Sequence, residues 1–567
     1  MLVDNCLKGT LATYVPSPEK PWNEKRVRHL YNKLCSGATA SAVEAALKVA
    51  NPADLVKNLF AKALSHPLPG VKNAVADYSF PAKEMDIPNY HYTPPPNYPP
   101  LERDRDYRFQ FTTNNYNKHL QLYEMWMDGM VSEGLRHKLV LFWSNHFVSV
   151  PDGTTLSWNF QYYYMLHYFA LGNFKDFVFH IGRTPLMLIY LSGYVSGPVP
   201  NNNYARELLE LFTMGPGNYT EKDIVEIARA LTGWGMVFAY SDGTKIVNKY
   251  QPVKTADFTR PDVLDNYYFR GKYYHDFGKK VIMGETISGR NPSTEAAAKI
   301  AANSDYRDVH DIIFRQRPNE IAKFICRKLY KFYLYQYPSE EILTGLAEEF
   351  KKSWSIQDVL IKLFTSDHFF SEECMGLNIK SPFDMMIGHY RNLGLKLNED
   401  YFIPKENTVT QAFDLPTESK GLRALIAVFN QNVQLGQQLF SPPNVAGWQM
   451  YRSWLNENTL VLRWQYYTDQ LFYYLQLTET KEKYRSLLKD LSNNSSDPDY
   501  IVRKFIEHYL AVPLDEEYIE QGIGIFKAGI PSNYYTNGTW SLDYSTVPNQ
   551  CLNLMQFLST LPEFQLI

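Results

Sequence analysis

Long apolar runs are missing from this 567-residue sequence. The nearest approach, Phe160 to Leu171, is broken by Gln161 and His167 and is largely tyrosine. It falls short of the ~18–20 apolar residues that cross a bilayer, so no membrane span is expected. An excess of one charge is missing too. The 57 Lys+Arg and 60 Asp+Glu leave a net charge of −3, and the basic residues are dispersed, which argues against nucleic acid as a partner. Low hydrophobicity, the mark of disorder, is absent, since 45% of residues are hydrophobic and 21% charged. The five cysteines, Cys6, Cys35, Cys326, Cys374 and Cys551, are scattered, odd in number and without a CxxC pair. A disulfide scaffold and a cysteine zinc site are therefore poor readings, and free, mostly buried thiols in a reducing compartment are expected. No basic stretch followed by an apolar one opens the chain, so a cytoplasmic location is expected, with export by another route left open. Also missing are G-x-S-x-G, a Walker-type loop, G-x-G-x-x-G after a strand, H-E-x-x-H and an EF-hand loop. Any enzymology here must be built from separated residues.

What is abundant is aromatic: Tyr 42, Phe 33 and Trp 10 make up 15% of the chain. Helical periodicity dominates. Val27, Leu30, Tyr31 and Leu34 share one face, and Thr39 or Ser41 can cap a following helix that carries Val43, Ala46 and Leu47. Leu139, Phe142, Trp143 and His146 repeat the pattern, with His137 and Ser144 pointing elsewhere. Thr220 and Asp223 form a capping box ahead of the stripe Ile224, Ile227, Ala228 and Leu231, and Gly233 stops that helix. Helical patterns return over 318–370, 381–395, 418–440, 457–478 and 480–510. The prolines of 81–104 exclude a helix or a central strand, so that segment reads as an extended surface strap. Residues 235–290 are richer in Tyr, Thr, Val and Phe, and Ser241-Asp-Gly243 is a hairpin signal, so a small β element is expected there. The expected fold is predominantly α: one continuous multi-helix unit over 1–567, with a helical C-terminal subdomain available over 318–567.

Three places carry candidate chemistry. The block Pro200–Gly215 opens a helix that places Glu207 and Glu210 on one flank and Arg206 within ion-pair reach of Glu210. Such a set can bind a cation or orient a polar substrate, or can be a structural network. Asn145-His146 ends an aromatic helix, where a histidine is a core residue, a metal ligand or a general base. His275-Asp276, in a glycine turn before Lys279-Lys280, can meet a ligand at a pocket mouth, or Asp276 can simply bond its own backbone.

These blocks resemble one bacterial family, the domain of unknown function numbered 1800. The resemblance runs from Pro21-Trp-Asn through Phe142-Trp-Ser-Asn-His-Phe147, is most specific at Pro200–Gly215, and continues through Ala228–Trp234 and His275–Gly284 to Ser441–Trp448 and Trp454-Leu-Asn456. It implies a helical protein without an agreed activity. It also implies a partner, a protein of a second family, numbered 1501, similar to the alkaline-phosphatase and sulfatase fold, in a pathway acting on exported or surface polymers. The family pattern has aspartate where Ser192 stands and glutamate where Asn202 stands. Both departures remove a carboxylate near one helix entrance, which weakens catalysis if those carboxylates are functional and matters little if they only cap the helix.

Two functions remain open. One is a hydrolase-like or metal-assisted enzyme on a glycan or phosphate-bearing polymer, with Glu207 as base or ligand, Arg206 as anion clamp, His146 as acid/base, and Glu210, His275 and Asp276 completing the site. The other is a non-catalytic binding or assembly partner of the phosphatase-like protein, with Tyr162, Tyr163, Tyr164, Trp448, Tyr451 and Trp454 as stacking platforms. The sequence names neither metal nor cofactor.

Overall fold

The structure is a computed structural model that describes residues 9–68, 123, 126–149, 156–236, 267–396, 429–470 and 478–567. The proline-rich segment 81–104, the hairpin signal at 241–243 and the stretch 418–428 lie outside the described residues.

The described chain is predominantly helical. Its first part runs through α1 (Glu24–Cys35), α2 (Ala40–Leu47), α3 (Pro52–Ser65), α4 (Leu135–His146), α5 (Leu156–Phe169), α6 (Phe174–Ile181), α7 (Pro185–Tyr190), α8 (Asn203–Glu210) and α9 (Glu221–Ala230). Two antiparallel two-stranded sheets follow. The strands β1 (Trp234–Met236) and β2 (Tyr267–Phe269) pair Trp234 with Phe269, and β3 (Lys280–Ile282) and β4 (Glu285–Ile287) pair Val281 with Thr286. The helices α10 (Glu295–Gln316), α11 (Pro318–Tyr333), α12 (Glu340–Ser353), α13 (Ile356–Phe364) and α14 (Pro382–Leu393) come next. The chain ends through α15 (Glu457–Gln465), α16 (Thr478–Ser492), α17 (Pro498–Tyr509), α18 (Glu516–Lys527), α19 (Ser532–Thr536) and α20 (Val547–Ser559).

Local signals place many of these boundaries. Thr39 caps α2, and Thr220 and Asp223 exchange both bonds of a capping box at α9. Val27, Leu30 and Leu34 are fully buried, as are Ile224 and Ile227. In α4 the amphipathic reading needs correction. Every residue from Leu135 to Ser144 is buried, His137 and Ser144 included, so the helix is enclosed on all sides. A helix so enclosed has no polar face for periodicity to reveal. One cluster of buried apolar residues runs from Tyr14 to Phe564. Cys35, Cys326, Cys374 and Cys551 are free and buried. Among the described residues no helix is long and apolar enough to cross a membrane.

Candidate functional site

The Pro200–Gly215 block is positioned by a tight run of turns. The helix α7 ends at Tyr190 with Leu191 as its C-cap, and Ser192 then adopts φ 56° and ψ 27°, the left-handed region. Aspartate and asparagine enter that region more readily than most residues, so an aspartate at this position has a backbone explanation that needs no chemistry. Asn201 Oδ1 accepts the Asn203 amide at 2.8 Å to open α8, whereas Asn202, the N-cap, makes no side-chain cap bond. Tyr204, Ala205, Leu208 and Leu209 are buried, which turns Arg206, Glu207 and Glu210 outward.

The expected pairing of Arg206 with Glu210 is not the one formed. Arg206 donates from both terminal nitrogens to Glu221, at 2.8 Å each. Glu221 stands in the first turn of α9, which packs on α8, and offers a fork-to-fork geometry that a neighbour one turn away on the same helix does not. Glu210 instead accepts the Tyr219 hydroxyl at 2.6 Å. Glu207 is half-buried, and burial together with the adjacent Glu210 pushes its carboxyl above the usual range.

His146 is buried and its roles are fixed by its neighbours. Nε2 faces the Phe212 carbonyl at 3.1 Å and so carries the hydrogen, which leaves Nδ1 to accept from Lys328 Nζ, also at 3.1 Å. Lys328 donates as well to the Leu211 carbonyl at 3.1 Å. The pair thus satisfies carbonyls released where α8 ends. Burial, then the Lys328 charge, holds His146 well below the usual imidazole range. Burial, with help from Lys331, lowers Lys328 to about 7.

His275 and Asp276 belong to a buried charge network. His275 Nδ1 lies 2.9 Å from the Thr232 carbonyl, and Nε2 lies 3.3 Å from Asp305 Oδ2. Asp305 of α10, almost without exposure, also takes Lys280 Nζ at 2.8 Å and Arg290 Nε at 2.7 Å. Burial alone would raise this carboxyl, but the bonds from His275, Lys280 and Arg290 outweigh it and lower it. Asp276 accepts from Arg229 Nε at 2.7 Å and from the Gly278 amide at 2.8 Å, so it does bond its own turn. His275 is buried. Asp305 was not among the residues the sequence pointed to. Its signal was its place on the helix face that also carries Ala298, Ala301, Ala302, Tyr306 and Val309.

Beside α8, a cleft lined by Gly182, Arg183, Ser196, Asn201, Tyr204 and Trp234 has about 20 Å³ open to the centre of a water molecule, room for one water. The stacking candidates are also corrected. Tyr162, Tyr163, Tyr164, Trp448 and Trp454 are buried and Tyr451 is half-buried, because helix–helix contacts of a large core absorb such rings. The six sequence candidates therefore fall into three groups: Arg206, Glu207 and Glu210 on the outer face of α8; His146 with Lys328 at the C-terminal end of α8; His275 and Asp276 in the network around Thr232. Among the described residues no group of three or more His, Cys, Asp or Glu is arranged to hold a metal ion.

The family model described as "Protein of unknown function (DUF1800)" matches residues 29–566. No curated protein and no solved structure matches the chain.

Proposed function

The chain belongs to the DUF1800 family, and from that premise we propose that it acts as a non-catalytic binding or assembly component rather than as a hydrolase. The observation that carries this reading is an exposed apolar strip beside α8. Val199 is 82% exposed and Tyr273 76%, and Tyr194 and Val195 are exposed as well. The strip is held in place from below. Arg270 Nη1 donates to the Tyr194 carbonyl at 2.8 Å while its guanidinium lies 4.0 Å from the centre of the Tyr274 ring. The Gly197 and Gly233 backbones close the loop, with the Gly233 amide on the Ser196 carbonyl at 3.1 Å. Apolar side chains displayed on a fixed backbone lose little entropy on binding, which suits a protein interface. Meanwhile Arg206, Glu210, His146, His275 and Asp276 already bond to other groups of the same chain. The partner in this reading is the phosphatase-fold protein that the family resemblance implies.

The test is co-expression with a member of that phosphatase-fold family, followed by sedimentation of the mixture. A complex is expected, weakened about tenfold or more by a Val199→Asp, Tyr273→Ser pair, the effect of removing central interface anchors. The absence of a complex would count against the proposal. The hydrolase reading keeps one group, the half-buried Glu207 with its raised pKa. Turnover of a chromogenic phosphate, ester or glycoside that disappears in a folded Glu207→Gln variant would reverse the order of the two readings.

A further inference from the structure

Far from α8 in sequence, three imidazoles meet where α3, the helical stretch 126–132, α4 and α5 come together. His66, which follows the last residue of α3, is half-buried, whereas His137 of α4 and His167 of α5 are buried. The rings touch in series and edge to face, with centres 5.9 Å apart for His66 and His137 and 4.6 Å apart for His137 and His167. His137 donates its Nδ1 hydrogen to Glu133 at 2.9 Å. The same carboxylate accepts the Arg136 and His137 amides and so closes the first turn of α4. Arg136 in turn donates to the Leu64 and His66 carbonyls, which caps the end of α3. His137 Nε2 occupies the space beside Gly129, where an added Cβ would lie 1.9 Å from it, so the ring has its place only because residue 129 lacks a side chain. His167 differs from His137: among the described residues neither of its ring nitrogens has a hydrogen-bond partner, nor does the hydroxyl of Tyr163, whose ring is 4.4 Å from it.

We propose that this cluster is an acid-sensitive latch: the packed imidazoles join α3 to α4 and α5, and proton uptake at the buried His167 opens that junction before the rest of the fold. Among the described residues, the groups that act on His167 disfavour its charged form. From α4 it meets His137 and Arg136, and from the end of α3 it meets His66, all of which oppose a further positive charge. Lys62 of α3 adds to the positive side through His66. Glu133 is already committed to His137 and two amides, and Asp128 acts on Tyr163. On its own helix the neighbour is the Tyr163 ring. Burial first, and then these neighbours, hold His167 well below the ordinary imidazole range. The opened or unfolded segment takes up the proton near pH ~6.5 and the closed one does not. Closure is therefore complete above that pH and is lost as the pH falls below it.

Hydrogen exchange of the full chain, read by peptide at pH 7.5 and 5.5 after correction for intrinsic rates, tests the latch. The wild type should show a selective rise in opening over 52–66, 135–146 and 156–169, about tenfold per pH unit below the imidazole range for the His167 proton. His167→Leu should remove that rise, while His389→Leu, at a buried histidine of α14, should leave it in place. A rise over these segments no greater than the acid-induced rise in the rest of the chain overturns the proposal, as does a His167→Leu variant that responds like the wild type. If His167→Leu does not fold, His66→Gln at the half-buried ring decides the matter: a weaker response supports the latch, and an unchanged response rejects it.

Discussion

At Gly182 an added Cβ would fall 1.8 Å from the Tyr204 hydroxyl and 2.7 Å from that of Tyr306. Both rings belong to the core, so neither moves cheaply. Gly182→Ala should cost about 1–3 kcal/mol, the usual penalty of overpacking, read as a lower urea midpoint. Tyr204→Phe, which removes the nearest atom, should restore part of the loss. Asp305 presents the opposite case, a group whose removal leaves others stranded. Asp305→Asn leaves Lys280 and His275 buried without a full counter-charge, and a loss of about 3–5 kcal/mol is expected from the same measurement. Arg206→Ala, which breaks a solvent-exposed pair, should leave the midpoint unchanged within error. The sequence marked Arg206 and passed over Asp305, because a polar residue on an apolar helix face is a weaker signal than a cluster of charges.

Asp223 ties a helix to a hairpin. Its carboxylate accepts the Thr220 amide at 2.9 Å and the Thr220 hydroxyl at 2.7 Å, which caps α9. It also accepts the Met283 amide at 2.6 Å, in the β3–β4 turn. Thr220→Ala loses only the cap and should cost about 1 kcal/mol. Asp223→Ala loses the cap and leaves a partly buried amide unpaired, so the cost should be about 2 kcal/mol or more. Exchange protection of β3 should fall only in the second variant. The capping half of this arrangement was legible, because a cap lies within three residues of its partner. The hairpin half was not, since Met283 is sixty residues from Asp223. The seam between α4 and α11 follows the same rule: Lys328 reaches His146 across 182 residues.

Among the described residues, several histidines and two lysines are buried deeply enough to disfavour their charged forms. Burial holds His29, His146 and His508 well below the imidazole range and lowers His310 to about 4 and His389 to about 3. The unfolded chain protonates these rings near pH ~6.5 while the folded chain does not. Stability is then intact above that pH and falls below it, by about 1.4 kcal/mol per pH unit for each ring. Lys328 and Lys380 are lowered to about 7 by burial. Between that value and the ordinary lysine range the unfolded state holds more protons, so stability keeps rising with pH above neutrality. Urea midpoints from pH 5 to 9 should therefore climb steeply through the imidazole range and reach their maximum on the alkaline side. A maximum at or below pH 6 would contradict this account.

The sequence by itself determined the helical class, the caps and the buried stripes, because those depend on groups within about four residues of each other. Its residues at Pro200–Gly215 also carried the family resemblance. Only the tertiary structure decided that Arg206 serves Glu221, that α4 has no solvent face, that the Tyr162–Tyr164 run is core, and that His66, His137 and His167 share one junction. Partners of that kind come from helices whose docking depends on the packing of the whole core, and no local pattern encodes it.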